Sequence, residues 1–238
     1  MKTKSPQTAI ILAGGLGTRL RSVIRDLPKP MAPINNKPFL ELLINYWIER
    51  GINSFVISVG YKKSEIINFF GEQYLGASIS YAEENSPLGT GGGMLRALQL
   101  CQTSQDIIVI NGDTYFDIDY QELINFHHAN SSLWTFSLKR MRFSERYLPI
   151  CVEKTGKISS FNASRSGKSV LINGGVYIIN TRIFDNFDFK ESEKLSLEND
   201  LIPLLHESGI NFFGLESKGQ FIDIGIPEDY MLANSCLG

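Results

Sequence analysis

Three stretches of the sequence carry residues suited to work on phosphate groups. The first is Ala13-Gly14-Gly15-Leu16-Gly17-Thr18-Arg19-Leu20. Glycines let backbone N–H groups come close to an anion because no Cβ intervenes, and Arg19 adds a fixed cation at the end of the turn. Further on, Lys29 stands between Pro28 and Pro30. Two prolines fix the backbone on either side, a rigid mount for a lysine that must meet a phosphate at a set place. The turn is not a Walker loop, because Gly17 is followed by Thr18-Arg19 and not by Lys-Ser/Thr. Nor is it a dinucleotide fingerprint, because position 20 is Leu where a third glycine is needed. The missing glycine argues against a Rossmann-type oxidoreductase.

The third feature is a pair of distant carboxylates. Asp113 follows the apolar run Asp106 to Ile110 and the turn Asn111-Gly112, and Asp223 sits in Phe221-Ile222-Asp223-Ile224-Gly225. An aspartate just past a parallel strand points into the crevice where open α/β sheets hold their ligands. Mg²⁺ takes oxygen ligands, commonly one or two carboxylates plus substrate phosphates. A lone strand-end aspartate is as often a turn or cap residue, so each gains weight only from the other. Asp117-Ile118-Asp119 is a D-x-D, as in metal-dependent glycosyltransferases, but Asp119 is well placed to cap the following helix. The three cysteines, Cys101, Cys151 and Cys236, have no zinc spacing, and His127, His128 and His206 no ligand spacing.

The elements that must position these groups alternate. Thr8 to Ala13 is a short apolar strand, of the kind buried on both faces of a parallel sheet. Pro38 to Arg50 carries Phe39, Leu42, Leu43, Tyr46 and Trp47 at helical spacing and ends at Gly51. The pattern continues with a strand over Ser54 to Val59, a helix over Ser64 to Phe70, a strand over Ser78 to Ala82 and a helix over Met94 to Cys101. A strand follows over Asp106 to Ile110, then a helix over Tyr120 to Ala129 and a strand over Leu133 to Leu138. The second half is richer in strands: Ile150 to Val152, Lys157 to Phe161, Leu171 to Ile179, Asn211 to Leu215 and Phe221 to Asp223. One helix, Leu197 to Glu207, interrupts them. Alternation of this kind predicts an α/β fold, a Rossmann-like, mixed but mainly parallel sheet flanked by helices, with a strand-rich subregion beside it. Residues 1–238 read as a single domain, with a nucleotide-binding half over about 1–115 and a second, sugar-phosphate-binding half over about 116–238.

Taken together, Leu12 to Pro30 resembles the signature of the sugar-1-phosphate nucleotidyltransferases, L-A-G-G-x-G-T-R-L followed by P-K-P, and the similarity extends over essentially the whole chain. The resemblance implies the nucleotide-diphospho-sugar transferase fold and transfer of a nucleotidyl group from a nucleoside triphosphate to a sugar 1-phosphate, with release of pyrophosphate. By residue match it puts the nucleotide on Leu12, Ala13, Gly14, Gly15, Gly17 and Thr18, with Arg19 and Lys29 facing the triphosphate. Gly112 joins them beside Asp113, and Asp113 and Asp223 hold one Mg²⁺. Arg19, Lys29 and Asp113 are the expected catalytic residues. Pro87-Leu88-Gly89-Thr90 resembles the segment that touches the base. Where uracil- and thymine-binding members place a glutamine, this chain has Glu84. An ionised carboxylate only accepts hydrogen bonds, and guanine offers it two adjacent donors, so GTP is the expected nucleotide.

On the sugar side, Asn173 and Gly174 match the N-x-G-x-Y strand and Glu198 the sugar-binding glutamate. The lysine found near Ser164 in many relatives is absent, and Arg165 or Lys168 could replace it. Relatives with R-Y-G also differ from Arg146-Tyr147-Leu148-Pro149 here. Within the family the pattern is most similar to guanylyltransferases acting on D-glycero-D-manno-heptose 1-phosphate. Mannose or glucose 1-phosphate with another nucleotide, a metal-dependent glycosyltransferase and a non-catalytic nucleotide-sugar-binding subunit stay open as alternatives.

Composition sets the outer limits. The chain has 238 residues, 43% hydrophobic and 20% charged, with a formal net charge of −2. That is ordinary for a globular domain and provides no general field for nucleic acid or an acidic membrane. An odd cysteine count and the lack of a signal-like apolar run at the N-terminus lead to the expectation of a cytoplasmic protein. The expected partners are its small-molecule substrates and, as a homo-oligomer, a second copy in a dimer.

Overall fold

The computed structural model describes residues 7–20, 23–24, 26–101, 106–161, 169–189 and 193–237. The chain starts with strand β1 (Thr8–Leu12), makes a small hairpin of β2 (Pro33–Ile34) and β3 (Lys37–Pro38), and enters helix α1 (Phe39–Glu49). It goes on through β4 (Ser54–Val59), α2 (Lys63–Phe70), β5 (Gln73–Tyr74), β6 (Ala77–Glu83) and α3 (Gly89–Leu98). Then come β7 (Asp106–Asn111), β8 (Thr114–Phe116) and α4 (Tyr120–Ala129). The second half holds β9 (Trp134–Arg142), β10 (Ile150–Val152), β11 (Ile158–Phe161) and β12 (Ser169–Asn180). It ends with α5 (Ile202–Glu207), β13 (Phe213–Ser217), β14 (Phe221–Asp223) and α6 (Pro227–Cys236).

Among the described residues one sheet of ten strands organises the molecule, with β11, β10, β12, β7, β1, β4, β6 and β5 in that order and β9 and β13 extending from β12. Pairing is parallel between β7, β1, β4 and β6 and antiparallel where β12 joins β7. The strand-rich second half therefore continues the same sheet through β12, the mixed architecture expected of the sequence.

The sheet is covered on both faces because its central strands carry apolar residues toward both. Successive side chains of a strand point to opposite faces. In β7, Ile108 and Ile110 enter one core with Leu40, Leu43 and Trp47 of α1, while Ile107 and Val109 enter another with Met94 and Ala97 of α3. A third, smaller core joins Leu20, Ala32, Ile34 and Phe39 to Ile222, Ile224, Tyr230 and Ala233. It packs the glycine turn and the β2–β3 hairpin against β14 and α6, and so brings the chain's last strand to its first loop.

Two elements differ from the sequence expectation in an instructive way. Helix α3 begins at Gly89, five residues before Met94, on Gly-Thr-Gly-Gly-Gly, a stretch whose helix propensity is poor. A Cβ on Gly89 would lie 2.5 Å from the Leu195 carbonyl oxygen, and one on Gly92 2.7 Å from that of Glu193. The glycines are there so that another backbone can lie against the helix. The expected helix from Leu197 to Glu207 starts as a π turn over Leu197–Leu201 before α5. Such turns are frequent at functional sites.

Candidate active site

The parallel strands β1, β4, β6 and β7 all end at one edge, and there the site is built. The Ala13 N–H bonds to the Ser58 carbonyl and the Gly112 N–H to that of Leu12, at 2.9 and 3.0 Å. The turns after β1 and β7 are thereby tied to the sheet. Gly17 has φ +57°, and a Cβ there would come within 2.9 Å of Lys29 Cβ, so this glycine lets the Pro-Lys-Pro turn lie against the loop. Gly15 faces open space. Lys29 begins a 3-10 turn over Lys29–Met31, with Pro30 and Met31 buried beneath it.

The lysine meets both aspartates. Its Nζ lies 2.5 Å from Asp113 Oδ2 and 3.9 Å from Asp223 Oδ1, with only 10% of its side chain exposed. The two carboxylates meet because β14 pairs with β8 so that Asp223 stands opposite Thr114, and the Ile224 N–H bonds to the Asp113 carbonyl at 3.0 Å. Burial pushes the Asp113 carboxyl upward, but Lys29 outweighs it and holds the group below the usual range. Burial and the neighbouring Asp113 raise Asp223, against the pull of Lys29 and Arg146. Two carboxylates crowded on one ammonium form an all-oxygen donor pair suited to a hard divalent cation whose remaining ligands are phosphate and water. Among the described residues no group of three or more His, Cys, Asp or Glu is placed to hold a metal ion.

Around this centre lies a cleft of roughly 840 Å³, large enough for two small molecules together. Leu12, Ala13, Gly14, Gly15, Gly17, Thr18 and Arg19 line one end with Lys29. Glu84, Pro87, Gly89 and Thr90 line the same cleft, as do Asn173 and Glu198. Leu88, Gly112 and Gly174 stand behind the lining. Leu88 is buried and donates its N–H to Glu84 Oε2 at 2.8 Å. Gly112 is packed against Leu12 and Gly174 against the Phe116 ring, where a Cβ would lie 2.7 and 2.5 Å from its nearest neighbours.

Glu84 is firmly set. Ser58 donates to its Oε1 at 2.9 Å while Leu88 holds the other oxygen, and each carboxylate oxygen keeps a second lone pair. Asn173 is engaged in its own strand. It donates to the Tyr177 hydroxyl at 2.6 Å and accepts from the Gly175 N–H at 3.0 Å. Thr90 bridges the two halves, accepting from the Leu197 N–H at 2.8 Å and donating to Glu198 at 3.4 Å. Desolvation by the surrounding walls raises the Glu198 carboxyl above its ordinary value. Asp119 accepts from the Glu122 N–H as the N-cap of α4, and Asp117 pairs with Arg50 at 3.1 Å. The D-x-D is thus engaged in structure. Arg165 and Lys168, with Ser164, lie outside the described residues.

Sequence reasoning gave no role to several cleft residues, Arg146, Tyr147 and Lys194 among them. Arg146 and Tyr147 both reach Asp223, and Lys194 lines the cleft near Glu198. The signal available was the position of Arg146-Tyr147 in the altered R-Y-G stretch. For Lys194 there was none, since only the packing of residues 193–197 on α3 brings it to the cleft.

A strand-edge glycine loop, a proline-clamped lysine and two converging aspartates thus line one cleft, and the chain belongs to the Nucleotidyl transferase family, whose profile matches residues 8–237. Among its relatives, the D-glycero-alpha-D-manno-heptose 1-phosphate guanylyltransferase of Aneurinibacillus thermoaerophilus is 42% identical over 94% of this chain and 96% of the relative. The enzyme of that name from Campylobacter jejuni is also 42% identical, over 93% and 96%. The crystal structure of HddC from Yersinia pseudotuberculosis complexed with GMP-PN superimposes with a TM-score of 0.83 at 34% identity, covering 98% of this chain and 100% of that one.

Proposed function

We propose that the protein transfers a guanylyl group from GTP to D-glycero-α-D-manno-heptose 1-phosphate, forming the GDP-sugar and pyrophosphate. The observation that carries this reading is the meeting of Lys29 with Asp113 and Asp223 at the strand edge beside the glycine loop. The choice of sugar is supported by relatives whose matched region is nearly full length on both sides.

In this reaction an oxygen of the sugar phosphate attacks the α-phosphorus in line, and the bond to the β-phosphate bridging oxygen breaks, its electron pair leaving with pyrophosphate. The nucleophile is already ionised, so no side chain has to remove a proton. The protein's task is to hold two polyanions together and to stabilise charge on the transferring group. Arg19 and Lys29 supply fixed positive charge, and the N–H groups of the glycine turn approach the phosphates. Asp113 and Asp223 would hold Mg²⁺, which when bound offsets phosphate charge and orients the oxygens. Glu84 retains one free lone pair on each oxygen for the N1–H and 2-amino donors of guanine. Asn173 and Glu198 line the cleft where sugar hydroxyls are expected, and Thr90 stands with the base-touching segment. A cytoplasmic homodimer belongs to the same reading; the free thiols of Cys101, Cys151 and Cys236 suit a reducing compartment, and no described helix is long and apolar enough to cross a membrane.

A matrix of GTP, UTP, CTP and dTTP against heptose, mannose and glucose 1-phosphates, read by pyrophosphate release, tests the proposal. GTP with the heptose substrate is expected to dominate. Glu84→Gln should shift the preference from GTP toward UTP or dTTP by about 5–150-fold, since a mispaired buried polar edge costs about 1–3 kcal/mol. Release of nucleoside diphosphate without pyrophosphate would make the enzyme a glycosyltransferase instead.

A further inference from the structure

Asp223 is held on three sides by groups that the transfer reaction does not call for. Its Oδ2 forms an ion pair with Arg146 at 2.6 Å and accepts from the Tyr147 hydroxyl at 3.1 Å. Its Oδ1 accepts from the Gly225 N–H at 2.7 Å and is the oxygen facing Lys29. A carboxylate oxygen has two lone-pair directions. Oδ2 has both taken, whereas Oδ1 keeps one, on the side where Lys29 and Asp113 stand.

Arg146 is itself pinned. One guanidinium nitrogen is paired with Asp229, in the first turn of α6, and Nη2 also reaches the Asp223 carbonyl at 3.2 Å. The side chains of Arg146 and Asp223 are only 15% and 17% exposed, so the pair is largely withdrawn from water. Space for it depends on one glycine: a Cβ on Gly225 would lie 2.5 Å from Arg146 Nη2 and 2.8 Å from Asp223 Oδ1. Arg146 meets the two carboxylates with separate nitrogens of one rigid guanidinium, Nη2 toward Asp223 and Nη1 toward Asp229, a fixed fork that a single lysine ammonium does not reproduce.

We propose that Arg146, braced by Asp229 and assisted by Tyr147, is a positioning residue that makes Asp223 a one-oxygen ligand, offering only Oδ1 to the cation it shares with Asp113. This rests on the reading of Asp113 and Asp223 as the Mg²⁺ pair. Arg146 and Tyr147 come from the loop between β9 and β10, so the arm that borders the sugar end of the cleft also sets the geometry of the cation.

The test is binding of Mn²⁺ to the enzyme in complex with a non-hydrolysable GTP analogue, followed by the electron paramagnetic resonance signal of free Mn²⁺, in wild type, Arg146→Lys, Asp229→Asn and Tyr147→Phe. Groups that orient a metal ligand typically change affinity by about 10–100-fold. Arg146→Lys is expected to weaken Mn²⁺ binding by about tenfold or more, and Asp229→Asn in the same direction by less. In turnover assays the Mg²⁺ concentration for half-maximal rate should rise in parallel. At saturating Mg²⁺, kcat should recover most of its wild-type value and the KM for the sugar 1-phosphate should be unchanged. Circular dichroism checks folding, and Asp229→Asn, which leaves the Arg146–Asp223 pair in place, carries the test if Arg146→Lys does not fold. Unchanged Mn²⁺ affinity in the folded variants overturns the proposal. So does a raised sugar 1-phosphate KM with metal dependence unaltered, which would make Arg146 a substrate contact. Wild-type enzyme that binds no Mn²⁺ with the nucleotide analogue overturns the reading of the aspartate pair itself.

Discussion

Lys29 occupies the space between Asp113 and Asp223, and its position explains both the electrostatics of the site and its expected sensitivity. The ammonium offsets two carboxylates that would otherwise repel each other at close range. It is also a fixed cation beside any phosphate brought against them. Removing one preorganised charged group at a phosphoryl-transfer site typically costs about 10²–10³ in rate. Lys29→Ala and Asp113→Ala are each expected to lower kcat on that scale while the far-ultraviolet circular dichroism spectrum stays that of the wild type. Turnover within a factor of three of wild type in either variant would remove that residue from the chemistry.

At the scale of elements, the junction between α3 and residues 193–197 holds the two halves of the cleft together. The Gly91 and Gly92 N–H groups donate to the Leu195 carbonyl at 2.9 and 3.2 Å, and Leu195 N–H returns a bond to Leu88 at 2.8 Å. A helix start normally leaves such donors unsatisfied; here another segment's carbonyl satisfies them, which is possible only because no side chain intervenes. Gly92→Ala would place a methyl 2.7 Å from the Glu193 carbonyl and 2.9 Å from Leu88 Cβ. Alanine is the better helix former, so intrinsic propensity alone would make this change stabilising. The steric cost of an overpacked contact, about 1–3 kcal/mol, is larger and should win. Thermal melting is expected to show a lowered Tm, and KM for the sugar 1-phosphate should rise because Glu198 follows that segment. A raised Tm would mean the segment yields without cost.

On the scale of the whole molecule, the sheet is stapled at the end opposite the active site by a partly buried polar cluster. Asp106, at the start of β7, is hydrogen-bonded to His128 of α4 and to Asn180 at the end of β12, both at 2.8 Å, and lies 3.4 Å from His127. His127 in turn meets Thr135 of β9 at 2.8 Å. Burial pushes the Asp106 carboxyl up, but the bonds from His127, His128 and Asn180 outweigh it and hold the group at about 2. A folded-state value below that of the unfolded chain contributes stability above roughly pH 4, and the contribution is lost as the pH falls through that range toward 2. With solvent screening of the half-buried group allowed for, the contribution at neutral pH is on the order of 1 kcal/mol. Asp106→Asn should lower stability to urea at pH 7, and the difference from wild type should shrink steadily between pH 4 and pH 2. A difference independent of pH would show that the cluster acts through packing alone.

What the sequence determined by itself follows from interactions between near neighbours. Short apolar runs mark β4, β10 and β14, and helical spacing with a cap at Asp119 marks α4, at the residues where they are found. These patterns depend on which face of a short element is buried, and that is legible over a few residues. The glycine loop, the lysine between prolines and the two strand-end aspartates were legible for the same reason, each being a local device. The tertiary structure alone decided how those devices combine. Lys29 and Asp113 are 84 positions apart, and Arg146 and Asp229 are 83; they meet because β14 pairs with β8 and because a small core draws α6 onto the first loop. The start of α3 on glycine and the arrival of Lys194 at the cleft have the same origin. In each case a backbone from a distant part of the chain supplies the contact, and no local periodicity records it.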